Sequence, residues 1–458
     1  MPFADLSYLQ LPESFYRFQY PVPVKQPELI YWNQPLAEEL GLEPDLQLYA
    51  GNRIPEDLTP ISQAYAGHQF GHPTMLGDGR AVLLGEVLTR RGRRMDVQLK
   101  GSGRTPFSRG GDGRAAVEPM LREVLISEAM HALGIPSTRS LAVCRTGEEV
   151  LREKPLPGAV LTRVASSHLR VGTFEYAAAL EDPEALSALL RVAVVRHDPG
   201  CGSAREFLRG VIRRQAALVA KWMAVGFVHG VMNTDNMAVS GETIDYGPCA
   251  FMDRYDPDTV FSSIDQQGRY AYANQPQICH WNLAVLAGTL LPLLHPVAEK
   301  AEEMARECLE EFPTVFRADW QRAMNAKLGL STVEEGDERL VGELLDTMQR
   351  SGADYTRTFY DLDPATPLPG FADWHLKWQK RLETETGPER RMREHNPAVI
   401  PRNHQVETAL HAAGKGDLEP FLRLMDLLSD PFNRARDYGA LALPPPPDAP
   451  PVVTFCGT

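Results

Sequence analysis

The chain has 458 residues, 43% of them hydrophobic, and carries 47 Lys and Arg against 60 Asp and Glu, a formal net charge of −13. That is a globular composition with enough chain for more than one domain's worth of core, and its acidic balance speaks against a nucleic-acid backbone as partner. No apolar run reaches the roughly 18 to 20 residues of a membrane helix. The longest, residues 283–294, contains Gly288 and Pro292. The segment Met1-Pro2-Phe3-Ala4-Asp5 lacks the basic and apolar stretches of a secretory signal, so the expectation is a cytoplasmic protein with neither nucleic-acid nor membrane partners.

In chain order, residues 1–75 are rich in proline and aromatics and read as an N-terminal extension wrapped on a body. An apolar strand is predicted over 81–88, a basic turn around Gly92, and a half-buried strand over 95–100, where apolar and polar residues alternate. Val117, Met120, Leu121, Val124 and Leu125 follow the spacing of a helix face within 115–133, ending at Gly134 with Pro136 beyond. Short strands follow over 140–144 and 159–164. Helices then dominate, over 183–194, 204–224, 281–294, 295–312, 320–327, 334–351 and 406–412, without an internal repeat. A β-rich stretch (76–180) before a larger helical one (181–440) is an α+β order. Residues 441–458 form a Pro-rich tail ending near Cys456. The other cysteines, Cys144, Cys201, Cys249, Cys279 and Cys308, form no C-x-x-C pair and read as reduced, mostly buried thiols.

The chemistry concentrates in five places. Leu76-Gly77-Asp78-Gly79-Arg80 stands just before a strand, where glycines let a backbone approach phosphate and Arg80 adds a charged fork. Lys100 ends the alternating strand and is followed by a helix carrying Glu123 and Glu128, the order in which kinase-like folds let a helical acid orient a phosphate-binding lysine. Periodicity does not choose between the two acids. Gly110-Gly111-Asp112-Gly113-Arg114 is a second glycine-rich loop, whose backbone and Asp112 are candidates for a nucleotide contact. Arg163 and Arg170 lie close enough in sequence to clamp a polyphosphate.

The fifth place is the most informative. His229 and Asn236 keep the spacing of a kinase catalytic loop, and Asp245-Tyr246-Gly247 stands where a kinase has D-F-G, joined by a hairpin over 237–244. Val231 occupies the usual proton-acceptor position, which leaves Asp235 as the only carboxylate in the loop.

With Tyr65-Ala66-Gly67-His68-Gln69-Phe70-Gly71, Val97-Gln98-Leu99-Lys100-Gly101-Ser102-Gly103, His229-Gly230-Val231-Met232-Asn233-Thr234-Asp235-Asn236-Met237 and Asp245-Tyr246-Gly247-Pro248, the sequence resembles the selenoprotein O family over nearly its whole length. The resemblance implies a bilobal, kinase-like pseudokinase that binds ATP in an inverted orientation and transfers AMP to Ser, Thr or Tyr hydroxyls of proteins, with Mg2+ or Mn2+. It assigns nucleotide contacts to Gly77, Gly79, Arg80, Lys100, Asp112, Gly113, Arg163, Arg170 and Asp245. It gives Glu123 the supporting ion pair, Asp235 the proton-acceptor role, and Asn236 with Asp245 the metal. Many relatives carry selenocysteine or cysteine near the C-terminus, where this chain has a lone Cys456, and a redox pairing with Cys249 is one expectation. The competing readings are γ-phosphoryl transfer, UMP transfer from UTP, and a nucleotide-binding scaffold without turnover.

Overall fold

The computed structural model describes residues 3–446 and Thr454; Cys456 and its suggested pairing lie outside the described residues. Among those residues the frame is an antiparallel sheet in the order Tyr16–Phe18, Ile61–Gln63, Ala81–Leu88, Arg94–Lys100, Pro155–Ala165, Arg139–Leu151 and Glu28–Trp32. Phe3–Ala4 pairs onto Ala81–Leu88, and Ala115–Ala116 onto Pro155–Ala165. The two ends of that order, Tyr16–Phe18 and Glu28–Trp32, both come from the first 75 residues. The N-terminal stretch therefore supplies the sheet's edges.

Each face of the sheet is covered, and this decides where its polar residues go. One face packs Leu84, Val97, Leu99 and Val160 against the short helices Gln34–Leu40 and Leu46–Tyr49. The other packs Leu83, Val143 and Leu161 against the helix Val117–Ala132 and runs on into the helical half. The strand Arg94–Lys100 was expected to be half-buried; instead Met95 to Lys100 are all buried. Its alternation survives, but Asp96, Gln98 and Lys100 face a second protein layer instead of water. Buried polar groups need partners, and all three have them. Asp96 accepts from Arg196 Nη2 at 2.7 Å and pairs with His168 Nδ1 at 3.0 Å.

The helix expected over 115–133 begins at Val117, because Ala115 and Ala116 are taken up by the sheet. The two helices expected over 295–312 and 320–327 are one, Ala298–Lys327, with Pro313 inside it. Pro313 cannot donate to the carbonyl of Leu309. His280 Nε2 lies 3.1 Å from that oxygen and serves as its partner, so the helix continues. Gln275–Leu294 also extends further than its apolar run suggested, and Tyr272–Leu294 is long and apolar enough to cross a membrane by length and composition. Its Leu283, Leu286, Ala287 and Leu290 are buried within the helical core. Short helices at Val171–Ala179, Tyr355–Tyr360, Ala372–Leu382, Pro388–His395 and Glu419–Leu428 were not anticipated. Of these, Tyr355–Tyr360 is too short to show the i, i+3, i+4, i+7 spacing of a helix face. Cys144, Cys201, Cys249, Cys279 and Cys308 are free thiols, and all but Cys201 are buried.

Burial pushes the His168 imidazole down to about 4, against the pull of Asp96 and with the help of Arg163 and Arg170. Between pH 6.5 and about 4 the unfolded chain therefore binds a proton at this residue that the folded chain does not, and stability at this site falls as pH falls through that window. His168→Asn should flatten the fall by up to one proton, about 1.4 kcal/mol per pH unit. Urea unfolding of both proteins from pH 7 to pH 5 checks this, and parallel curves would contradict it.

Candidate active site

The strand register brings the first set of site residues together. Arg163 lies opposite Gln98 across the ladder, and Lys100 is two residues further along the same face. Gln98 Oε1 accepts from Arg163 Nε at 3.0 Å and Nη2 at 2.7 Å, which aims the guanidinium along the sheet toward Lys100. Lys100 Nζ donates to Glu123 Oε2 at 2.6 Å and to Asp245 Oδ1 at 2.7 Å. The choice between the helix's acids is thereby resolved: Glu123 meets the lysine, while Glu128 accepts two bonds from Arg139 at 2.9 and 2.6 Å.

Asp245 is the hub. Besides Lys100 it accepts from Arg163 Nη1 at 2.5 Å on Oδ1 and from Arg170 Nη1 at 2.6 Å on Oδ2. Three cations thus share one carboxylate, with Glu123 as the second anion. Burial alone would raise the Asp245 carboxyl, but Arg163, Lys100 and Arg170 outweigh it and hold the group well below the usual carboxylate range. Its backbone is in the left-handed region (φ +60°), which aspartate tolerates better than most residues. Arg170 immediately precedes the helix Val171–Ala179 and stacks over the Tyr65 ring at 4.6 Å. The same Nη1 also donates to the backbone oxygen of Asp235 at 2.6 Å, so one side chain joins the hub to the catalytic-type loop.

In that loop Thr234–Asn236 form a single tight turn. His229 is buried and structural: its Nε2 meets Ile244 O at 3.0 Å, bridging the two ends of the segment that Met237 and Thr243 close. Asp235 is nearly enclosed, and burial pushes its carboxyl up to about 6 against the pull of Arg170. Its Oδ1 is buried without a hydrogen-bond partner. Asn236 donates its amide nitrogen to Val231 O at 3.0 Å, leaving its oxygen for another partner. Among the described residues no three His, Cys, Asp or Glu side chains gather as a cage for a metal. Asn236 and Asp245 nevertheless offer the hard oxygen donors that suit Mg2+ or Mn2+, and such ions commonly complete their sphere with phosphate and water.

The first glycine loop abuts this cluster. Arg80 O accepts from Gly101 N at 2.7 Å, and Asp78 Oδ2 accepts from Gln63 N at 3.0 Å and from Gln98 Nε2 at 3.1 Å. Gly77 is at φ +133°, and a Cβ there would lie 2.5 Å from Phe107 Cγ, so only glycine fits. Ser108 Oγ donates to Gly79 O, and Thr105 Oγ1 to Asp78 O at 2.6 Å. Among the described residues Arg80 has no ion pair. The second loop is placed differently. Gly113 O accepts from Gly103 N at 3.0 Å, which brings this loop onto the turn after Lys100, but the Asp112 carboxylate is held by Arg152 at 2.9 Å and by Arg114 N at 2.9 Å.

Sequence reasoning missed Gln98, Asp78, Tyr65 and Arg122. Gln98 and Asp78 stood inside the motifs, yet their role needs the sheet register. Arg122, on the glutamate helix, donates to Gly247 O at 3.2 Å, Cys249 O at 2.7 Å, Asn403 Oδ1 at 2.9 Å and Glu407 Oε1 at 2.6 Å. It locks the Asp245-Tyr246-Gly247 segment to the C-terminal helix Asn403–Gly414, and Asn403 serves structure here.

Known proteins now give the class. Residues 4–429 match the family described as Protein adenylyltransferase SelO, and the chain belongs to that family of protein nucleotidyltransferases. It is 55% identical to the Protein nucleotidyltransferase YdiU of Anoxybacillus flavithermus over 473 residues, covering 99% of this chain and 98% of that one. The YdiU of Geobacillus kaustophilus is also 55% identical, over 477 residues and 99% of each chain, and that of Nitrosococcus oceani is 54% identical over 99% and 97%. A solved structure of titin kinase and its flanking domains overlaps 80% of this chain and 54% of its own, with 10% identity and a TM-score of 0.22, too little to bear on the fold.

Removing the hub anion leaves three buried cations close together with Glu123 as the remaining carboxylate of the cluster. Asp245→Asn should lower the unfolding free energy by about 3 kcal/mol. Saturating inorganic tripolyphosphate should raise the variant's Tm more than the wild type's, since the added anion replaces the lost one. Equal stability of the two proteins in urea would contradict the hub.

Proposed function

We propose that this protein transfers AMP from ATP to Ser, Thr or Tyr hydroxyls of acceptor proteins, within a kinase-like arrangement whose sheet half and helical half form two lobes. The observation that carries the reading is the hub. Lys100, Arg163 and Arg170 converge on the Asp245 carboxylate, and Arg170 also reaches the backbone oxygen of Asp235, a setting that suits a bound polyphosphate. ATP bound with its terminal phosphates against these three cations has its α-phosphate toward Asn236 and Asp235, the inverse of a kinase. The family description and the names of the relatives support nucleotidyl transfer over γ-phosphoryl transfer.

In the proposed reaction the acceptor hydroxyl oxygen forms a bond to the α-phosphorus while the bond from that phosphorus to the α,β-bridging oxygen breaks. Asp235 takes the hydroxyl proton, and pyrophosphate leaves with the bridging electron pair. Burial has raised the proton affinity of Asp235 toward neutrality, which suits a general base. Lys100, held by Glu123, and Arg163, held by Gln98, fix the leaving pyrophosphate and stabilise its growing charge. Asn236 and Asp245 would hold Mg2+ or Mn2+, which supplies charge neutralisation at the phosphoryl oxygens. Arg80, at the end of the first glycine loop and without an ion pair among the described residues, would add a further phosphate contact.

The test is incubation with an acceptor protein, Mg2+ or Mn2+, and ATP labelled in the α or the γ phosphate. The account predicts label in protein from the α position only. Asp235→Ala should lower kcat by about 10²- to 10⁴-fold with ATP affinity retained. Label from γ alone would make the protein a kinase, preferential labelling by UTP would make it a uridylyl transferase, and ATP binding without any label would leave a scaffold.

A further inference from the structure

Asp235 Oδ1 is buried with no hydrogen bond, so at that oxygen packing takes the place of a hydrogen-bond partner. The elements around it supply that packing. Ala66–Gln69 and His72–Met75 form a two-stranded hairpin whose ladder is separate from the main sheet. This hairpin lies on the two residues that precede Asp235: His68 N–H donates to Thr234 Oγ1 at 2.7 Å, and Phe70 N–H to Asn233 Oδ1 at 3.0 Å. The Tyr270 hydroxyl donates to the same Asn233 oxygen at 2.7 Å. The hairpin is also wedged against the helix Val171–Ala179, where a Cβ on Gly172 would fall 2.0 Å from Ala66 O and 3.4 Å from Asp235 Cα, and His68 Nδ1 meets Glu175 Oε2 at 3.1 Å.

Gly67 closes the arrangement. A Cβ built on Gly67 would sit 2.3 Å from Asp235 Oδ1 and 2.8 Å from its Cβ and Cγ, far inside an ordinary carbon–oxygen contact of about 3.3 Å. The glycine backbone therefore lies flat on the Oδ1 edge of the carboxylate and seals it. With Oδ1 sealed, Oδ2 is the oxygen left to take a proton. We propose that the hairpin Ala66–Gln69 with His72–Met75 is a clamp that sets the orientation of Asp235, with Gly67 and Thr234 as positioning residues. The inference rests on the AMP-transfer reading above. It concerns Asp235 alone, because the hairpin makes no described hydrogen bond to Lys100, Arg163 or Asp245.

A displacement of about 1 Å at a reacting group costs on the order of 100-fold in rate. Gly67→Ala should lower kcat for protein AMP transfer by about that factor, with KM for ATP and directly measured ATP affinity within about twofold of wild type. Thr234→Val, which keeps the shape and removes the hydroxyl acceptor, should lower kcat about tenfold, and Thr234→Ser should restore it. A purely structural role would move ATP affinity and Tm together with kcat and would not be rescued by serine. Wild-type kcat in both Gly67→Ala and Thr234→Val would overturn the clamp while leaving AMP transfer standing. Parallel loss of ATP affinity, or equal loss in Thr234→Ser and Thr234→Val, would also overturn it. Absence of α-label from wild-type product would remove the AMP-transfer reading, and the clamp with it.

Discussion

The site depends on one unequal sharing: three cations on a single carboxylate at Asp245. Such a cluster is costly to bury, because each charge loses its water and Coulomb attraction recovers that loss only with well-made hydrogen bonds. The chain meets the requirement with fixed partners. Gln98 takes two bonds from Arg163, Glu123 takes one from Lys100, and the backbone of Asp235 takes one from Arg170. These partners hold the cations in place whether or not Asp245 is shared with a ligand. The cluster is therefore preorganised, the condition under which electrostatic stabilisation is strongest.

The fold follows from where that cluster has to sit. A strand with alternating residues usually turns its polar face to water, but here the helix Val117–Ala132 and the helical half lie across that face. Asp96, Gln98 and Lys100 become a buried polar row with a different task at each position. Asp96 fastens Arg196 and His168, Gln98 aims Arg163, and Lys100 reaches the hub. Arg122 then links the helix that carries Glu123 to the segment after Asp245, so the hub's two anions are held by one element. Geometry at Asp245 is tied in this way to helices about 160 residues further along the chain.

Much of this was legible before the structure. Lys100 at a strand end, an acid on the next helix, and the His229, Asn236 and Asp245 spacing carry their chemistry in residue type and order. The resemblance over long motifs named the family that the comparisons show. What was hidden required knowing which residues face each other. Glu123 and Glu128 differ only in whether Lys100 or Arg139 stands opposite. The strand over 95–100 looked half-exposed because sequence does not say what covers its polar face. Pro313 looked like a helix break because the stand-in partner for Leu309 O, His280, lies 29 residues earlier on another helix. Gly67 stood in the Tyr65 to Gly71 motif behind the resemblance, but its task was hidden because Asp235, which it touches, lies far along the chain.

The central claim, that the three cations on Asp245 form the seat of a polyphosphate in inverted ATP, is tested most directly by a crystal structure with a non-hydrolysable ATP analogue and Mn2+. The account predicts β- and γ-phosphate oxygens on Lys100, Arg163 and Arg170, the α-phosphate nearest Asp235, and Mn2+ anomalous density at Asn236 and Asp245. A γ-phosphate lying against Asp235, with the three cations still bound only to Asp245 and Glu123, would contradict it.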